Sequence, residues 1–138
     1  MSAKIRYVDS VENISAEMLR GFFEGWRTPP SPETHLRMLR NSACVVLAVD
    51  DEAQRVAGFT YAISDGILSA YVPLLEVLPS YRRQGIGSEL LRRLLAKLHR
   101  FYMVDVVCDP ELQGFYERHG LKPSTAMVIR NYDWQRGC

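Results

Sequence analysis

Tyr81-Arg82-Arg83-Gln84-Gly85-Ile86-Gly87-Ser88 links an apolar run, Tyr71 to Leu78, to a segment striped with leucine. Gly85 and Gly87 strip the loop of side chains, so consecutive backbone N–H groups can close on a phosphate. The segment that follows places Ile86, Leu90, Leu91, Leu94, Leu95 and Leu98 on one helical face, with Arg92, Arg93, Lys97 and Arg100 on the other. The positive end of that helix dipole falls on the glycine loop. Strand, glycine loop and helix together predict a pyrophosphate site at the carboxyl end of a strand, where sheets of this kind bind ligands.

Outward from the loop, Cys44 to Val49 and Val56 to Ile63 read as hairpin strands around the Asp50-Asp51-Glu52 turn. Asp65-Gly66 signals another turn, and Tyr71 to Leu78 a further strand. Pro73 lies inside that strand and opposes regular pairing on both sides, so a bulge or a divergence is expected there. Met103 to Cys108 is nearly continuous in apolar character (Asp105 excepted), as in a strand covered on both faces. Glu111 to His119 predicts a short helix stopped by Gly120, and Ala126 to Tyr132 a last strand. Upstream, Ile5 to Val8 suits a first strand. Ser15 is the expected cap of a helix carrying Met18, Leu19, Phe22, Phe23 and Trp26. After the Pro29-Pro30 break, Ser31-Pro32 restarts a helix that ends near Asn41. This order predicts an α/β (α+β) fold with a mixed sheet and helices laid on it. The strands near residues 71–78 and 103–108 are parallel neighbours in it.

The 138 residues are most simply one domain. An apolar share of 47% and a charged share of 24% suit a globular protein, and a net charge of +1 gives no global argument for nucleic acid. No apolar segment is long enough to span a bilayer, and Met1-Ser2-Ala3-Lys4 lacks a signal-peptide core, so no membrane role and a cytoplasmic location are expected. Cys44, Cys108 and Cys138 are odd in number, widely spaced and without metal-ligand spacing. No metal is expected, and Cys44 and Cys108 are read as buried free thiols.

The loop is no Walker A motif, because Gly85-Ile86-Gly87-Ser88 carries no lysine for β- and γ-phosphates. Nor does it fit the dinucleotide fingerprint Gly-x-Gly-x-x-Gly, whose third glycine is replaced by Leu90. Arg82-x-x-Gly85-x-Gly87 instead resembles the Gln/Arg-x-x-Gly-x-Gly/Ala signature of the GNAT superfamily of N-acetyltransferases. The downstream stretch Asp109-Pro110-Glu111-Leu112-Gln113-Gly114-Phe115-Tyr116-Glu117-Arg118-His119-Gly120-Leu121 resembles that family's second signature, Asn…Tyr-Glu-x-x-Gly-Phe. Asp109 stands where the family often has Asn, and Leu121 where it often has Phe. The resemblance covers residues 44–132 and extends toward the N-terminus. It implies a mostly antiparallel mixed sheet flanked by helices, with a splayed parallel strand pair at the cofactor site.

It also implies acetyl-CoA as co-substrate and a primary amine as acceptor. Pyrophosphate would rest on the N–H groups of Gln84, Gly85, Ile86, Gly87 and Ser88, with Arg82 lending charge and Arg83 left at the surface. Backbone groups of Leu75 and Val77 would meet the pantetheine and thioester oxygen, as an oxyanion donor, and Asp109 would contact pantetheine. Tyr116 matches the family's tyrosine at the sulfur. A phenol near ~10 is not far above a thiol near ~8.5, so protonating the leaving thiolate is feasible.

Glu76 is the only charge in Val72 to Leu78 and hence the candidate general base, since neutralising an amine of pKa ~10.4 at pH 7 takes about 4–5 kcal/mol. Its alternative role is to anchor an N-terminal helix through Arg20 or Arg37. Asp65, Tyr71 and Asp105 are lesser base candidates. Phe22, Phe23, Glu24, Trp26 and Arg27 could wall an acceptor pocket, although packing into the core is the stronger reading for Phe22 and Phe23. The acceptor is a small molecule or a peptide amine, and fold analogy leaves a homodimer open. No cysteine lies in either signature at a position suited to a covalent acetyl-enzyme, which points to direct transfer in a ternary complex. The same loop without a working acid and base would make a non-catalytic acyl-CoA-binding sensor or partner-binding module.

Overall fold

The chain is described here as a computed structural model covering residues 3–138; Met1 and Ser2 of the N-terminal stretch lie outside the described residues. Its strands are β1 (Ile5–Val8), β2 (Cys44–Asp50), β3 (Arg55–Ser64), β4 (Ser69–Val72), β5 (Leu75–Val77) and β6 (Met103–Val106). Its helices are α1 (Pro32–Arg40), α2 (Ile86–Lys97) and α3 (Gln113–Glu117). The sheet runs β1-β2-β3-β4-β6, with β5 paired to β3 beyond β4. Every pairing is antiparallel except β4 with β6, which is parallel from Ser69↔Met103 to Val72↔Val106. The mixed, mostly antiparallel sheet with one parallel pair is the architecture that the sequence predicts.

Side chains alternate across a strand, so neighbouring Gly58 and Phe59 mark opposite faces of β3. The leucine stripe of α2 packs on the Gly58 face, where a methyl group added at Gly58 would meet Leu90 Cδ1 at 3.0 Å. α1 covers the other face, with the His35 and Phe59 rings 4.3 Å apart. α1 starts where expected: Pro32 occupies the first turn, and the Ser31 hydroxyl accepts the Thr34 amide at 3.1 Å. Phe22 and Phe23 belong to the core between α1 and the sheet.

The strand expected over Tyr71 to Leu78 is two strands. The chain leaves β4 at Pro73, and the buried Thr60 hydroxyl donates to the Leu74 carbonyl at 2.9 Å, drawing the chain back onto β3 as β5. Proline supplies no ladder N–H and so ends the first strand. The divergence anticipated there is present.

Four expectations are corrected. The helix from Ser15 to Trp26 is a single 3-10 turn, Ala16–Leu19, and Ser15 makes no side-chain cap. Gly21, Phe23 and Gly25 then take positive φ values of 96°, 67° and 82°, which no right-handed helix accommodates. Met103 to Cys108 is not covered on both faces; β6 stops at Val106, is bounded by β4 on one side only, and its residues alternate between exposed and half-buried. The segment Glu111 to His119 divides into a 3-10 turn, Pro110–Leu112, and α3. Ala126 to Tyr132 forms no strand and is exposed throughout.

Candidate active site

Gly85 is the N-cap of α2 in the left-handed region, at φ 80°. Glycine is needed there for its backbone, since a methyl group would meet nothing within 4 Å. The cap supplies no side chain to the first turn, so the Ile86, Gly87 and Ser88 amides have no intrahelical acceptor and lie at the positive end of the helix. Gly87 is where three elements meet. A methyl group there would lie 3.8 Å from Val77 Cγ2, 3.9 Å from Leu75 Cδ2 and 3.9 Å from Phe115 Cζ. Loop, β5 and α3 therefore converge on one spot.

β5 presents a free edge to that spot. Leu78 N donates to Ala57 O at 2.8 Å, toward β3. Backbone polar groups alternate sides along a strand, so the Leu75 and Val77 groups point the opposite way, into the gap opened at Pro73. The Val77 carbonyl on that side accepts Arg82 Nε at 3.0 Å, and the Leu75 and Val77 amides face the same opening.

α3 closes the other side. Tyr116 is half-buried, with its ring against Phe115 at 5.1 Å. Burial, reinforced by the nearby Cys108 thiol, raises its pKa above the usual phenol value, so the group stays protonated and able to donate through the neutral range. Cys44 and Cys108 are half-buried rather than buried thiols. Asp109 is exposed and precedes the 3-10 turn, where its backbone carbonyl accepts the Leu112 amide at 2.9 Å. Among the described residues its carboxylate bonds no protein group.

Two residues sit differently from their sequence reading. Arg82 holds the loop to its surroundings: Nε bonds Val77 O, and Nη2 pairs with Glu24 Oε2 at 2.6 Å. Glu76 is an anchor, but for neither Arg20 nor Arg37. Its Oε1 and Oε2 accept the Phe23 amide at 2.9 and 3.1 Å, and Oε2 also takes the Glu24 amide at 3.3 Å. Arg20 pairs with Glu17, and Arg37 with the Cys138 carbonyl. Of the other base candidates, Asp65 caps its turn by accepting the Ile67, Leu68 and Ser69 amides, which lower its pKa. Tyr71 and Asp105 are register partners across β4 and β6. Gln84 and Arg83 are exposed on the loop.

Two contributors went unnoticed in the sequence, His119 and Thr60. His119 Nε2 lies 3.1 Å from Ser88 Oγ and ties the end of α3 to the first turn of α2. Its place three and four residues beyond Tyr116 and Phe115 was the available signal, since such spacing shares a helical face. Thr60 fixes the course of β5 and carries no sequence mark; Glu24, read from the sequence as a pocket wall, is the residue that holds Arg82. Among the described residues, no three His, Cys, Asp or Glu side chains gather as a metal site.

A glycine-capped helix beside a strand that peels from its sheet, with a protonated tyrosine opposite, defines an acyl-transfer fold. The chain belongs to the acetyltransferase (GNAT) family, whose model matches residues 11–121. It is 47% identical to a protein of Deinococcus radiodurans R1 classed as an acetyltransferase, with a TM-score of 0.94 over 100% of this chain and 99% of that one. A GNAT-family protein of Streptococcus pneumoniae TIGR4, SP0256, is 27% identical with a TM-score of 0.67, over 93% and 98% of the two chains. The uncharacterized N-acetyltransferase ycf52 of Porphyra purpurea is 21% identical over 83% of this chain and 68% of its own length.

Proposed function

We propose that this chain moves an acetyl group from acetyl-CoA to the primary amine of a small-molecule acceptor by direct transfer in a ternary complex. The observation that carries the reading is that β5 and α3 meet the start of α2 at Gly87, which sets the first-turn amides of α2 beside a strand whose Leu75 and Val77 backbone groups point away from β3. The α2 amides suit pyrophosphate, and the Leu75 and Val77 groups suit the pantetheine and thioester oxygen. Ser88 and His119 border the phosphate end. Asp109 stands at the pantetheine end, and Arg82 holds the loop in place.

In the reaction the acceptor nitrogen bonds to the carbonyl carbon as the carbon–sulfur bond breaks. Tyr116 gives its proton to the departing sulfur, and the proton lost by the amine leaves through solvent. Glu76 positions the N-terminal loop, and thereby the acceptor wall that includes Glu24 and Trp26. No metal enters this chemistry. The reading places the reaction in the cytoplasm on a diffusible amine; among the described residues no helix is long and apolar enough to cross a membrane.

The engaged carboxylate of Glu76 favours a second reading: an acyl-CoA-binding module with no base of its own. One experiment separates the two. Calorimetric titration with CoA is run beside thiol release from acetyl-CoA over amines, amino acids, aminoglycosides and peptides. Binding with turnover is expected. Binding without turnover on any acceptor would favour the sensor, and no CoA binding would end both.

A further inference from the structure

A cavity of about 700 Å³ lies between the N-terminal loop and the last residues of the chain, bounded by Gly25, Arg27 and Thr28 on one side and by Tyr132, Asp133 and Arg136 on the other. Its size suits a small molecule. The two walls are clamped together, because Gln135 Oε1 accepts the Thr28 amide at 3.0 Å and the Thr28 hydroxyl at 3.1 Å. Arg27 precedes one end of that clamp and Arg136 follows the other, so the clamp brings both guanidinium groups to one cavity. Among the described residues neither arginine enters an ion pair, and nor does Asp133. Asp133 stands three positions before Arg136, a spacing that allows pairing on a helical turn, and leaves it unused. Glu24, the nearest carboxylate along the loop, is committed to Arg82 at 2.6 Å. Gly25 joins the cavity to the reactive opening. It follows Glu24, whose amide bonds the Glu76 carboxylate of β5 and whose own carboxylate holds Arg82 beside the Val77 carbonyl.

We infer, resting on the reading of this chain as an amine acetyltransferase, that Arg27 and Arg136 hold the carboxylate of the acceptor, which is an amino acid or another amine bearing a carboxylate. Each planar guanidinium can give a carboxylate two parallel hydrogen bonds, an arrangement that an amide or an alcohol cannot match in charge. Two guanidinium groups and the Asp133 carboxylate leave the cavity with one net positive charge at neutral pH. A single carboxylate balances that charge, whereas a phosphate close to a dianion exceeds it. With its carboxylate fixed between the arginines, the acceptor has its amine free to extend past Gly25 and Glu24 toward β5. Arg27 and Arg136 touch the acceptor away from the reacting atoms, so they set which amine is bound rather than how fast it reacts.

The test sets L-amino acids against their own carboxamides, which keep the amine and the side chain and lose the negative charge, and O-phosphoethanolamine against ethanolamine. Wild type, Arg27→Gln and Arg136→Gln are compared; both arginines are exposed, so neither change endangers folding. Thiol release from acetyl-CoA should be seen with amino acids, and each variant should raise their KM about tenfold, as for loss of a charged hydrogen bond. The kcat, the CoA affinity and the KM of the carboxamides should stay as in wild type. Saturation-transfer NMR, with and without CoA, reads binding of the same compounds in the absence of turnover, so the two readings can fail separately. Amino acids that bind in preference to carboxamides, lose that preference in both variants and are never acetylated would keep the carboxylate site and sink the transferase reading. Acetylation of amines with no dependence on Arg27 and Arg136 would keep the transferase and overturn the site. Binding of neither acids nor carboxamides, or a preference for the phosphate over the carboxylates, would overturn it as well.

Discussion

The Glu76 carboxylate accepts the Phe23 amide at 2.9 Å, and Phe23 holds a positive φ of 67°. A left-handed conformation costs an L-residue about 1–2 kcal/mol, and a charged hydrogen bond of ~1.5–3 kcal/mol offsets it. β5 and the N-terminal loop are thus one assembly, and Glu76→Gln is expected to lower stability by about 1–3 kcal/mol. It should also raise KM for the acceptor while leaving the pH dependence of kcat/KM in place. Loss of the basic rise in that profile would make Glu76 the base after all.

Tyr116→Phe keeps the ring against Phe115 and removes the proton donor. Turnover should fall roughly 10²-fold or more, as for loss of a general acid, with CoA affinity little changed. Since the phenol titrates above its usual value, any loss of wild-type kcat from this group should have its midpoint above the ordinary ~10 of a phenol.

The two loop glycines should respond differently. Gly85→Ala puts a side chain at φ 80° and costs about 1–2 kcal/mol. The resulting relaxation re-aims the first-turn amides, and calorimetry should show a CoA Kd about tenfold weaker, or ~1.4 kcal/mol. Gly87→Ala meets only ordinary contacts at 3.8 to 3.9 Å and lies inside a helix, so stability should hold or rise by up to about 1 kcal/mol.

His35 is buried among Phe22, Phe23 and Phe59, and neither ring nitrogen has a partner. Burial lowers its pKa from 6.5 to about 4. The unfolded chain therefore binds the extra proton first, and stability is full above pH 6.5 and falls as pH drops from 6.5 toward 4. At ~1.4 kcal/mol per unit, the loss reaches roughly 3 kcal/mol at the bottom of that window. Denaturation of wild type and His35→Leu at pH 4.5 and 7.5 checks it, since the variant should lack this share of the acid sensitivity.

The sheet, α1, α2 and the break at Pro73 were legible because each has a local cause: apolar runs between turn signals, Ser31-Pro32, paired glycines, a missing N–H. What escaped the sequence depends on distant partners. The apolar residues Met18 to Trp26 have helical spacing, yet glycines and the Glu76 carboxylate bend them into a loop whose aromatics still reach the core. Glu76 stood out correctly as a lone charge in an apolar strand, but its donors are backbone amides 52 and 53 positions away, which no side-chain search reveals. Likewise Arg82 carries the right residue at the right spacing, and only the fold shows Glu24 drawing it aside. Ala126 to Tyr132 carries a strand's apolar pattern, but no strand of the sheet pairs with it, and it stays an exposed, irregular segment.

Gly58, in the middle of β3, is the register partner of Val77 and brings no side chain to the site. Yet a methyl group there would press on Leu90 Cδ1 at 3.0 Å, the Glu76 carbonyl at 3.2 Å and Val77 Cγ2 at 3.2 Å. It is thus a spacer made of absence, setting how far the phosphate end of the cleft stands from the thioester end. Both ends can be intact in a Gly58→Ala chain and still be mismatched to the length of the molecule they grip.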